Sequence, residues 1–115
     1  MIYTSRYGNP ALKTGDYTTV RISLGKPKWN IGYHINAELP DLMPAGIFGE
    51  FDVYEDFREA YFERLNNIGI QRIKTQLDGL SKLGKDIVLL CFEDVRKVPK
   101  LWCHREAFSE WWDQK

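Results

Sequence analysis

Cys91 and Glu93 stand at the end of an apolar run, and twelve positions after Cys91 the tripeptide Cys103-His104-Arg105 opens an amphipathic tail. Thiol, carboxylate, imidazole and guanidinium are the groups from which nucleophilic, acid/base and anion-binding sites are assembled. If Cys103 caps the last helix, His104 and Arg105 lie in its first turn, where unpaired backbone N–H groups and the positive end of the dipole attract anions. Arg105 then suits a bidentate grip on a phosphate or carboxylate. The same field favours the thiolate, which makes Cys103 a candidate nucleophile, with His104 or Glu93 as proton carrier and Cys91 as a second thiol. Each residue also has a plainer reading. Cys91 ends a buried strand and packs as a small hydrophobe, Cys103 fills a tight strand-to-helix corner, and Glu93, Asp94 or Glu106 neutralises the basic pair. The residue types leave open whether this junction is a thiol- or acid/base-dependent enzyme site or a structural corner.

Further polar groups sit at other predicted strand ends. Ser5 and Arg6 close the first strand, Ser23 lies near the end of the second, and Lys26, Lys28 and Trp29 follow it. Lysines beside an indole offer charge for a phosphate and a face for a ring, although the same residues serve as ordinary loop solvation. His34 is a candidate to close over the site, or a surface residue with a satisfied hydrogen bond. A zinc set of Cys91, Cys103 and His104 with Glu93 or His34 has suitable ligand types but lacks compact spacing, so no metal or other cofactor is expected.

The elements that must bring these groups together follow from hydrophobic period and punctuation. Ile2 to Ser5 and Tyr17 to Leu24 are rich in β-branched and aromatic residues, end at Gly8-Asn9-Pro10 and Gly25-Lys26-Pro27, and read as strands. From Pro27 to Phe51 prolines and glycines break every period, which predicts a long irregular loop or lid anchored by its aromatics. Tyr54, Phe57, Tyr61 and Leu65, then Ile70, Ile73, Leu77 and Leu80, recur at three- and four-residue steps and predict two helices, the first stopped by Gly69 and the second by Gly84. Asp86 to Phe92 is a continuous apolar run, as in a parallel strand covered on both faces. Ala107, Phe108, Trp111 and Trp112 give the tail a helical stripe in which one tryptophan belongs to the core and the other is partly exposed. This alternation predicts an α/β fold with a small, layered, mostly parallel sheet and helices packed on it, whose ligands bind beyond the carboxyl ends of the strands.

Leu89-Leu90-Cys91-Phe92-Glu93 followed by Cys103-His104-Arg105 resembles the domain of unknown function 488 family. Ile2-Tyr3-Thr4-Ser5, the Ile22-Ser23 strand with Pro27-Lys28-Trp29, and Asp56-Phe57-Arg58 through Tyr61-Phe62 and Leu65 agree with it, so the resemblance spans nearly the whole chain. Longer members carry Asp-Val-Arg where this chain has Arg21-Ile22-Ser23, and the role of that aspartate does not carry over. The resemblance implies the α/β fold and the place of a site, and names no substrate.

Composition bounds the rest. A chain of 115 residues with 43% hydrophobic and 28% charged residues suits one folded domain over 1–115. Sixteen basic residues balance sixteen acidic ones, so no global positive field favours nucleic acid. No apolar run approaches a bilayer span and the N-terminus lacks a signal-peptide pattern, which predicts a cytoplasmic protein with no membrane partner. Two cysteines are too few for a disulfide framework and are expected as reduced thiols. The expectation is a small anionic ligand, a nucleotide or phosphate ester, bound at the Cys/Glu/Cys-His-Arg crevice. The alternatives are a non-catalytic binding or regulatory module and a nucleic-acid-associated protein; oligomeric state stays open.

Overall fold

The apolar run ending at Cys91 becomes the centre of a sheet. The computed structural model describes residues 1–47, 50–92 and 104–115. Strands β1 (Ile2–Arg6), β2 (Tyr17–Arg21), β3 (Ala37–Glu38) and β4 (Asp86–Cys91) lie in the order β1-β4-β2-β3, and every neighbouring pair is parallel. β4 is central because it is apolar on both faces; from Ile87 to Cys91 it is buried throughout. Register places Arg6 beside Cys91 and Arg21 beside Leu90, so the carboxyl ends of three strands meet along one border of the sheet.

Alternation sorts the side chains into two layers. Val20, Ile22, Ile87 and Leu89 face α1 (Tyr54–Ile68), α2 (Ile70–Ser81) and α3 (His104–Asp113), which supply Phe57, Tyr61, Leu65, Ile73, Leu77, Phe108 and Trp111 to the main core. Each such Leu or Ile contributes about 1.5–3 kcal/mol by leaving water. Val88 and Leu90 face the other way and form a smaller core with Tyr7 and Leu12, against which Tyr17, Ile31, Tyr33 and Ile35 pack. The two helices between β3 and β4 are the predicted ones. Gly69, at φ 96° and ψ 137°, both ends α1 and precedes α2, a backbone conformation that side-chain-bearing residues rarely adopt.

The segment expected to be irregular is partly ordered by the sheet. It contains β3 and a 3-10 turn over Pro40–Leu42, and its stretch from Ile31 to Ile35 alternates half-buried with exposed residues. Backbone groups of His34 and Asn36 bond to Thr19, while the Tyr33 hydroxyl donates to the Tyr7 carbonyl at 2.7 Å. This segment covers the face that the helices leave open. β2 ends earlier than its composition predicts, at Arg21, because the Arg21 guanidinium takes the Ser23 and Leu24 carbonyls and turns the chain. Trp111 is the core tryptophan, its Nε1 donating to Asn66 at 2.8 Å, and Trp112 is half-buried against Phe108. No described helix is long and apolar enough to cross a membrane.

Candidate functional site

The predicted groups separate onto the two sides of the sheet. Cys91 ends β4 on the helix side, and α3 delivers His104 directly above it, with His104 Nδ1 3.6 Å from Cys91 Sγ. Both side chains are buried, as is Arg105. His104 Nε2 lies 2.6 Å from the Ile22 carbonyl oxygen, which only accepts, so Nε2 carries the proton. The Tyr61 ring meets the imidazole edge-on at 5.7 Å. Burial pushes the His104 pKa down to about 4 against the hydrogen bond to Ile22, so at neutral pH the ring is uncharged and Nδ1 carries no proton. Cys91 is disulfide-bonded, which corrects the reduced thiol expected there from the low cysteine count. A sulfur so bonded carries no S–H and is no nucleophile. Glu93 and Cys103, the other two candidate catalytic residues, lie outside the described residues.

On the opposite side the strand-end residues form a different arrangement. Ser23 is buried and its hydroxyl is committed twice: it donates to the Gly25 carbonyl at 2.6 Å and so must accept from the Tyr7 hydroxyl, also at 2.6 Å. Ser5 is bonded by the Asn9 amide, in the cap of the 3-10 turn over Pro10–Thr14. Arg6, which register and alternation put on the Cys91 side instead, is half-buried at the end of β1 and folds back over Gly8, where an added Cβ would stand 2.7 Å from its Nη1. Ser5 and Ser23 hold the ends of their strands in place.

Beyond β2 and β3 an open cleft of about 400 Å³ is lined by Arg21, Lys26, Trp29, Tyr33, His34 and Glu38 together with neighbouring apolar side chains. Of the expected ligand-binding residues, Lys26 and Trp29 belong to it; Lys28 is exposed beside it. Trp29 is 51% exposed, and its ring lies 6.0 Å from that of Phe92, which in turn packs on Tyr7 at 4.9 Å. An aromatic step thus runs from the end of β4 to the cleft.

Arg21 and Glu38 are the residues that sequence reasoning missed. Arg21 was hidden inside a predicted strand, and Glu38 inside a segment taken as irregular. The strict alternation of Ile31, Tyr33, Ile35 and Ala37 was the signal that an extended segment ran there and carried Glu38 to the sheet. Arg21 is 9% exposed; its Nη1 holds the Ser23 and Leu24 carbonyls at 3.0 and 2.8 Å, and its Nη2 meets Glu38 Oε2 at 3.1 Å. Its Nε is buried and has no hydrogen-bond partner among the described residues. Lys26 Nζ is 3.6 Å from Glu38 Oε1. The Arg21 hydrogen bond, with Lys26 assisting, holds the Glu38 carboxyl below the usual carboxylate range.

Among the described residues no group of three or more His, Cys, Asp or Glu side chains is placed to hold a metal ion. What the arrangement offers is a positive, ring-lined hollow on one side of the sheet and a buried, uncharged Cys91–His104 contact on the other. No protein-family model, curated protein or solved structure matches this chain.

Proposed function

We propose that the protein binds a small anionic ligand bearing a flat ring, a nucleotide or a related phosphate ester, in the cleft beyond the carboxyl ends of β2 and β3. The observation that carries this reading is the convergence there of two cations, one of them the nine-tenths buried Arg21 whose Nε has no hydrogen-bond partner among the described residues, beside the exposed Trp29. Buried nitrogen donors are costly to leave unsatisfied, and a cleft of this volume falls within the range of small-ligand sites. Lys26 supplies charge to the phosphate and Trp29 a stacking face to the ring. The position fits the tendency of parallel sheets to bind ligands past their carboxyl ends.

The Cys91–His104 contact has a structural part in this reading. The His104 ring packs on Cys91 and its Nε2–H ties α3 to the Ile22 carbonyl just past β2, and this burial supports reading the corner as structural and the protein as a binding module. Membership of the domain of unknown function 488 family belongs to the same proposal and is supported by the motif residues and the parallel α/β sheet that carries them.

Titration with adenosine 5′-monophosphate, followed by calorimetry and by Trp29 fluorescence, tests the site. Saturable binding that weakens with added salt is expected, with Lys26→Ala lowering affinity about 3- to 10-fold and Trp29→Ala about tenfold. Neither residue is buried, so thermal unfolding should stay within about 0.5 kcal/mol of the parent. Binding that ignores both substitutions would exclude this cleft.

A further inference from the structure

A plain anion site has no use for a carboxylate, yet Glu38 lines this one, the only acid among the described lining residues. Its Oε2 accepts from Arg21 at 3.1 Å and its Oε1 lies 3.6 Å from Lys26, while 44% of the side chain stays open to solvent. A carboxylate offers about four lone-pair positions. The two cations occupy one at each oxygen and leave acceptor capacity on the exposed side. They also keep the group ionised, so an incoming ligand meets a fixed negative charge next to the positive ones.

That combination discriminates. A ligand made only of negative oxygens is repelled by Glu38 as it approaches Lys26. A ligand with hydroxyl donors a few bonds from its phosphate satisfies both signs at once, because the hydroxyls donate to the carboxylate while the phosphate meets the ammonium. Lys26, 70% exposed on a flexible stem, can follow the phosphate, whereas Arg21 is fixed by two carbonyls and holds Glu38 in place. A ribose carries vicinal hydroxyls between its base and its phosphate, and Trp29 provides a surface for the base.

Resting on the binding reading above, we propose that Glu38 accepts hydrogen bonds from the ribose cis-diol, so that the cleft selects ribonucleotides over 2′-deoxyribonucleotides and over inorganic phosphate. Arg21 is a positioning residue in this scheme. It orients the carboxylate and has no need to touch the sugar.

The test compares adenosine 5′-monophosphate, 2′-deoxyadenosine 5′-monophosphate and inorganic phosphate by calorimetry on the full chain and on Glu38→Gln and Glu38→Asp. A site built around a ligand hydroxyl discriminates strongly against the analogue that lacks it, so the ribonucleotide should bind at least about tenfold more tightly than the deoxynucleotide. Inorganic phosphate should bind more weakly than either. Glu38→Gln should bring the ribo-to-deoxy ratio to about one, and Glu38→Asp should retain part of it. Equal affinity of the two nucleotides for the parent protein overturns the role of Glu38 and leaves the anion-and-ring cleft standing. A ratio that survives in Glu38→Gln assigns the discrimination elsewhere and overturns it as well. Should neither nucleotide bind, the cleft reading fails and this inference with it. The parent ratio needs no variant, so misfolding of a substituted chain cannot hide the answer.

Discussion

His104 illustrates how position decides the chemistry of a residue whose type allows several. Read in sequence, a histidine between a cysteine and an arginine suggests proton transfer. In the fold its Nε2 proton goes to the Ile22 carbonyl and burial makes the charged form costly. This has a measurable consequence. The unfolded chain takes up a proton on this ring near pH 6.5, the folded chain only near pH 4, so the stabilisation is complete above pH 6.5 and is lost as pH falls through that interval. The loss approaches about 1.4 kcal/mol per pH unit and about 3 kcal/mol in all. Chemical denaturation at pH 7 and pH 4 should show it as an excess over the drop seen in His104→Gln, which lacks the imidazole. The residue types at this corner were legible, and so was the approach of Cys91 to the last helix. Burial was not, because nothing in a Cys-His-Arg string says which side of the strand the helix will cover. The disulfide at Cys91 was equally hidden, since two cysteines in a chain of this size are compatible with either redox state.

At the scale of the element, the helices and the central strand were legible because their periods are clean. Three- and four-residue steps from Tyr54 to Leu65 and from Ile70 to Leu80 place α1 and α2 within three residues of where they lie, and the unbroken run from Ile87 to Cys91 marks β4. β3 was not legible, being two residues long and bracketed by turns whose prolines and glycines mask the alternation before it. That omission concealed the cleft, since Glu38 comes to Arg21 only through β3 pairing with β2. Gly69 was read correctly as a stop, and its cost can be checked. An alanine Cβ there meets no atom within 4 Å, so any penalty is conformational alone. With φ at 96°, Gly69→Ala should destabilise by roughly 1–3 kcal/mol in urea unfolding and leave ligand affinity unchanged.

For the whole molecule, the parallel α/β architecture followed from the alternation of strand and helix patterns, while the strand order did not, because period carries no information about which strands adjoin. The order assigns unequal coverage to the two faces: helices on one, and on the other a segment of chain held by Ile31, Tyr33 and Ile35. The sheet therefore acts as a wall, with the Cys91–His104 contact on the helix side and the cleft opening on the other. The order also makes β4 the shared neighbour of β1 and β2, which do not pair with each other. A chain ended after Gly84 keeps three strands and two helices but has nothing to join β1 to the β2–β3 pair, and circular dichroism should show no cooperative thermal transition for it. A ribosome making this chain exposes β1 and β2 well before the strand that unites them exists. Their bare edges are then open to capture by other nascent chains, and the native topology can be reached only once β4 has been made.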